Sequence, residues 1–355
     1  MPLKDIAIIL TWPDATIRGD EQWMMFFKKI GLVKNLNFKV GHTGVIIVDH
    51  QSGQMLFYDF GRYITPRGYG RARSKFSDPM LDISVMARIN EGVIENLEEV
   101  ISHLESLKPA MYGDGKLLFS IVRDIDFQKA KKYGDDCVAQ GTYPYGAVAR
   151  NNNNCSRFIT RMLMRSSSAF HFWHGINLPE TIKSSPVSNL VNSSKDRMIY
   201  SYTPQDGIKQ FKMNRWQSFL FLIKQLGDNV KRHKANLLPT DQVIGAVQYN
   251  SKPISIPKNA VYLGGVGDGA WYTAVYNEDN IQFTVKRFTS SGQLEYVVLG
   301  IPPDNFKPNE PWTVTYDSHL LFTHILQNNI KLRIEHTQQL SVETHRYEHI
   351  KELYA

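Results

Sequence analysis

Cysteine is scarce. Cys137 and Cys155 are the two in 355 residues, too few for a disulfide framework, which points to a reducing compartment or to a thiol kept for chemistry. Long apolar runs are missing as well. The densest, Phe219-Leu220-Phe221-Leu222-Ile223, falls far short of the roughly 20 residues that a membrane span requires. The first apolar stretch ends at Trp12-Pro13-Asp14 and carries no small-residue cleavage site of a signal peptide. These absences predict a cytoplasmic protein with no integral membrane segment. No internal repeat stands out. Extreme charge is lacking too: 41 Lys+Arg against 34 Asp+Glu gives a net +7, which permits anionic partners without requiring them. What the chain does have is core material. Its 42% hydrophobic and 12% aromatic content excludes wholesale disorder, and its length suits two domains.

Residues 6–10 read as a buried strand. Residues 20–30 read as a helix capped by Asp20, with Trp23, Phe26, Phe27 and Ile30 at helical spacing. Residues 39–49 and 55–60 form a hairpin around Ser52-Gly53. Residues 62–79 hold Pro66, Gly68 and Gly70 together with Arg67, Arg71, Arg73 and Lys75, and read as a long, solvated basic loop. Residues 90–107 carry Val93, Leu97, Val100, Ile101 and Leu104 on one stripe of an amphipathic helix. A strand at 117–122 and a polar helix at 126–139, containing Cys137, follow. Four asparagines at 151–154 precede a helix running from Cys155 to about Met164, with Phe158, Ile159, Met162 and Leu163 inward. Residues 165–210 are Ser- and Asn-rich, as in a surface excursion. Residues 216–226 form a strongly apolar helix. From residue 242 strand-like runs recur between turn signals, at 243–248, 260–264, 271–276, 281–288, 294–299, 312–316 and 330–335. That spacing predicts a small antiparallel β-domain. The expected class is therefore α+β, with domains at 1–195 and 241–355 and a helical linker region at 196–240.

Two segments can carry chemistry. Gly41-His42-Thr43-Gly44 places a histidine at the start of a buried strand, and Asn154-Cys155-Ser156 places a thiol in the first turn of a helix. The thiolate is the reactive form of cysteine, and unsatisfied amides at a helix start stabilise negative charge. A neighbouring imidazole would add to this and carry the proton. A third polar group orients such an imidazole, and strand parity offers two. An even-length turn between the hairpin strands puts Asp59 on the face of His42; an odd one puts Tyr58 there. A carboxylate suits the role better, because it stabilises imidazolium.

The ordered set GHTGVIIVD, YDFG and NCSRF (residues 41–49, 58–61 and 154–158) resembles the circularly permuted NlpC-like papain-fold cysteine enzymes, the group of lecithin:retinol acyltransferase. In that group His precedes Cys along the chain, as here. The resemblance spans residues 1–165. It implies a permuted papain-like domain in which a small antiparallel sheet packs on a nucleophile-bearing helix, with a mainly-β domain of unassigned role behind it. It maps the nucleophile to Cys155, the catalytic His to His42 and the third polar residue to Asp59, where some relatives have a second His. It aligns Tyr145-Gly146 with the aromatic-Gly element before the nucleophile. Tyr145, Tyr58 and Asn154 are the candidates for the oxyanion site or pocket. The implied chemistry is hydrolysis of an amide bond in a peptide or cell-wall-type fragment through a thioester, without a cofactor. Acyl transfer between lipids, thioester hydrolysis, or a non-catalytic binding module on the same fold are the alternatives.

Other motifs read as structure. Cys137 has no paired histidine motif and is expected to be packing. His171 and His174 lack further ligands at metal spacing, and His345 and His349 lie in a polar helix; no metal is expected. Gly264-Gly265-Val266-Gly267-Asp268-Gly269 lacks the Lys-Ser/Thr ending of a phosphate loop and reads as a hairpin turn. The basic loop has no nucleic-acid fold signature beside it.

Overall fold

The computed structural model describes residues 5–19, 22–66, 68–146, 153–167, 185–238, 251–265 and 269–343. The chain divides into two units. The first comprises residues 1–61, 70–75 and 79–244, and the second 62–69, 76–78 and 245–355. Residues 196–240 thus fall within the first unit. Its elements, in order, are β1 (Asp5–Trp12), β2 (Thr16–Arg18), α1 (Gln22–Lys29), β3 (Asn37–Lys39), β4 (His42–Val48), β5 (Met55–Gly61), β6 (Tyr69–Arg73), β7 (Ile89–Asn90) and β8 (Val93–Ile94). There follow α2 (Leu97–Ser106), β9 (Leu117–Ile125), α3 (Phe127–Gln140), β10 (Thr142–Pro144), α4 (Cys155–Ser166), α5 (Pro186–Ser193), β11 (Met198–Thr203), β12 (Gly207–Lys212), α6 (Arg215–Val230) and α7 (Arg232–Ala235).

Eight strands form one sheet in the order β10-β6-β5-β4-β1-β9-β11-β12, larger than the small sheet expected. The long runs in β1 and β4 are apolar at every position because both faces of the sheet are covered. Ala7, Ile9, Val45, Ile47, Leu56, Tyr58 and Phe60 pack with residues of α3, α4 and α5. Ile6, Ile8, Leu10, Trp12, Ile46, Val48, Met55 and Phe57 pack with Val100, Ile101 and Leu104 of α2. The inward stripe of α4 is Phe158, Ile159, Met162 and Leu163; full burial of each such side chain contributes on the order of 1.5–3 kcal/mol.

Three local departures from the sequence reading have simple causes. Residues 90–96 form a tight β7–β8 ribbon rather than the start of α2, because Glu91 and Gly92 both take positive φ. Within 62–79 the strand β6 joins the sheet between β5 and β10, so residues 69–73 are not a solvated loop. The apolar helix α6 presents much of its hydrophobic surface outward.

The second unit is an antiparallel sheet of seven strands: β13 (Val261–Gly264), β14 (Gly269–Asn277), β15 (Gln282–Thr289), β16 (Leu294–Ile301), β17 (Thr313–His319), β18 (Phe322–Gln327) and β19 (Ile330–Leu340). Their order is β13-β14-β15-β16-β19-β18-β17. Strand β17 also approaches β13 and β14, so the sheet is nearly closed on itself. Its interior holds Tyr272, Phe283, Val285, Tyr296, Val298, Ile325 and Ile334, joined by Ile64. The class is α+β with a C-terminal β-unit. The strand expected at 243–248 lies outside the described residues.

Candidate active site

Local sequence brings the thiol to a helix start. Asn154 caps α4: its side chain accepts from the Arg157 amide at 2.9 Å and donates to the Gly146 carbonyl at 3.2 Å. Both ends of this side chain therefore hold the cap and the preceding segment in place. Cys155 is the first helical residue and is buried. The first turn is tied from α5, where Asn189 donates to the Ser156 carbonyl at 2.9 Å.

His42 opens β4 opposite Trp12. Gly41, immediately before it, has φ +82, and a Cβ there would lie 2.9 Å from the Trp12 carbonyl oxygen; only glycine makes that approach without strain. The imidazole stacks on the Trp12 ring, with centroids 6.4 Å apart and planes 7° from parallel. Its Nε2 lies 3.1 Å from Asp59 Oδ2, and the Cys155 thiol is the ring's other polar influence.

Register explains Asp59. Val48 pairs with Met55, so the turn at 49–54 has an even number of residues, and Gly44 falls opposite Asp59. Asp59 then shares a sheet face with His42, two residues offset. Tyr58 points to the other face, packs in the core beneath α4 and donates its hydroxyl to Asp135 at 2.8 Å. That geometry puts Tyr58 on the sheet face away from His42. Tyr145 stacks on Phe60 in the same core, centroids 6.0 Å apart.

A fourth group completes the line. Arg73 pairs with Asp59 across β5 and β6. Its Nε donates to Asp59 Oδ1 at 3.1 Å and its Nη2 to Oδ2 at 2.7 Å, a two-pronged contact. Its Nη1 donates to the Ala110 carbonyl at 3.1 Å, and the guanidinium lies 4.9 Å from the Tyr112 ring centroid. Arg73 is 1% exposed, which corrects its reading as part of a solvated loop. The signal was present in Arg71-Ala72-Arg73: large polar residues two apart with a small one between fit a strand.

Charge follows from this packing. Burial alone would raise the Asp59 carboxyl, but the charge of Arg73 and hydrogen bonds from His42 and Arg73 hold it down at about 2. Burial alone would lower His42, but its hydrogen bond to Asp59, the neighbouring Cys155 and the Asp59 charge lift it to about 9. Carboxylate and imidazolium therefore stabilise each other. Cys137 sits between Tyr133 and Tyr143, and burial pushes its thiol up; it is a packed side chain of the α4 core.

Among the described residues one group has metal-ligand chemistry, Asp5, Asp49 and His50. Its carboxylates already hold the fold. Asp5 accepts from the His50 ring at 2.6 Å and from the Phe127 amide at 2.9 Å, while Asp49 accepts from Gln51 and Ser52 in its own turn. His171, His174, His345 and His349, like much of the Gly264–Gly269 turn, lie outside the described residues.

Residues 7–172 match the family model described as type VI secretion system effector TseH-like. Residues 260–337 match the DUF6695 C-terminal domain. No curated protein matches the chain. Among solved structures, the crystal structure of the type VI secretion system effector TseH is similar at 16% identity with a TM-score of 0.39, over 59% of this chain and 98% of that one. The match over residues 7–172 overturns the assignment of this half to the lecithin:retinol acyltransferase-like group. The short motifs that suggested that group are too few to assign a family.

Proposed function

We propose that the first unit is a papain-like cysteine hydrolase that cleaves an amide bond in a peptide or cell-wall-type fragment through a thioester. The observation that carries this reading is the continuous line from the Cys155 thiol through the His42 imidazole to the Asp59 carboxylate. The similarity of residues 7–172 to secretion-system effectors supports a delivered protein rather than a resident cytoplasmic one.

The chemistry follows from the side chains. The Cys155 thiolate attacks the amide carbonyl while His42 holds the thiol proton. The carbonyl oxygen gains negative charge, and the Cys155 backbone amide at the start of α4 is the nearest donor that the helix supplies for it. Collapse expels the amine, which takes the proton from imidazolium, and leaves an acyl thioester on Cys155. Water then adds with His42 as base, releasing the acid and restoring the thiol. Asp59 fixes the imidazole tautomer and Arg73 fixes Asp59.

The pH profile follows from His42. Its folded value of about 9 lies above the ordinary 6.5, so imidazolium persists at neutral pH and is lost as pH rises through about 9. Turnover needs that proton for the leaving amine, so kcat/KM is expected to fall above about pH 9. Alkylation of Cys155 by iodoacetamide needs only thiolate and is expected not to fall there. Peptide amides and cell-wall fragments incubated with wild type and with Cys155→Ala, with products read by mass spectrometry, test the assignment. Cleavage that requires Cys155, with an acyl adduct on its peptide, supports it. Equal cleavage by Cys155→Ala sinks it.

A further inference from the structure

Helix α6 is apolar on more of its circumference than it buries. Its inward side is mixed: Ser218 is buried, Phe221 and Leu222 are half-buried, and Gln225 donates to the Pro13 carbonyl at 2.8 Å. Trp216, Leu220, Ile223 and Val230 recur at positions i, i+4, i+7 and i+14 and are exposed, Trp216 to 64%, with exposed Leu226 on the flank of this stripe. At 3.6 residues per turn these positions form one outward apolar face.

The surface continues beyond the helix. Residues after α6 pack against α1 and β3: Leu238 joins Met24, Leu36 and Phe38, and Asn35 donates to the Ala235 carbonyl at 3.1 Å. Around this small core Phe26, Ile30, Leu32 and Leu237 are also exposed, Leu237 to 84%. Two separate segments thus display large apolar side chains.

Their charge is lopsided. Residues 22–40 and 207–238 contain eleven Lys or Arg and one acidic residue, Asp228; with Asp14 and Asp206, which pair with Lys39 and Lys209 from just outside, the net is +8 in a chain whose total is +7. Asp228 itself is matched by Lys234 at 2.7 Å. Lys29, Lys224, Lys231 and Arg232 are exposed beside the apolar side chains. A second copy of the chain on this face would bring two cationic rims together. An anionic surface with an apolar layer beneath it satisfies both features: aromatic and aliphatic groups enter the interface while lysine stems reach back to the headgroups.

We propose that the α6 face, with the adjoining α1 and α7 region, docks on an anionic lipid bilayer, lying in its interface and not crossing it. This surface is independent of the thiol chemistry proposed above. The test uses the full chain and vesicle flotation. The wild type is expected to float with vesicles containing about one-third anionic lipid and not with neutral phosphatidylcholine vesicles, and to be released by high salt. Ile223→Glu and Lys224→Glu/Lys231→Glu, all at exposed positions, are each expected to weaken binding at least roughly tenfold with an unchanged circular dichroism spectrum. Wild type that stays unbound on anionic vesicles overturns the proposal, as does binding that ignores both variants. A dimer that Ile223→Glu dissolves, without vesicle binding, overturns it in favour of a second copy. Vesicle-independent capture of an acidic peptide by this face overturns it in favour of a protein partner.

Discussion

Cys155→Ala is expected to lower amide turnover by about 10⁴-fold or more, and His42→Ala by nearly as much. The thiol is the atom that forms the thioester, and no neighbouring group replaces it: Ser156 Oγ lies 3.9 Å from Sγ in the same helical turn, but its hydroxyl has no imidazole bond of its own among those described. His42 carries the proton in both half-reactions, so its loss affects acylation and deacylation alike. The two act as one unit, and the double variant is expected to be no slower than the worse single one. Turnover measured for both single variants and the double variant checks this. Multiplying effects would mean that the two side chains work independently.

Arg73→Met is expected to cost about 3–5 kcal/mol of stability, because it strands a fully buried carboxylate. In a unit of this size that corresponds to a fall in Tm of roughly 6–20 °C. The sign of the pH effect follows from Asp59. Its folded value of about 2 lies below the ordinary 3.8, so the wild-type contribution is present above 3.8 and is lost as pH falls toward 2. Without Arg73 burial raises the carboxyl, and once it lies above the unfolded 3.8 the charged Asp59 opposes folding, so the loss is greatest at neutral pH and shrinks as acid protonates the carboxyl. Pairing Arg73→Met with Asp59→Asn removes both charges and is expected to recover part of the stability. Thermal unfolding of the two single variants and the double variant at several pH values reads this coupling. Equal losses that simply add would show that Arg73 and Asp59 contribute separately.

The sequence made some of this site legible and hid the rest for physical reasons. The helix at Cys155 was readable because its cap, Asn154, and its inward stripe, Phe158 to Leu163, are local in the chain. Placing Asp59 rather than Tyr58 beside His42 depended on the parity of one turn, which a sequence leaves open and the pairing of Val48 with Met55 decides. Arg73 was hidden because its partner is across a strand pair, and the glycines and proline before it look like loop punctuation. The eight-stranded sheet was hidden because β10, β11 and β12 join it through pairings distant in the chain or short in length. Strand β18 was missed because nothing between residues 316 and 330 breaks the pattern as strongly as glycine or proline would. The exposed face of α6 could not be inferred from its apolar composition, which reads equally as core.

The central claim is that Cys155 is a nucleophile activated by His42, whereas Cys137 is packing. Iodoacetamide labelling at neutral pH, followed thiol by thiol by peptide mass spectrometry, tests it most directly. The prediction is that Cys155 reacts at least roughly tenfold faster than Cys137 and that His42→Ala removes the difference. Equal, slow labelling of both thiols in the folded wild type would contradict it.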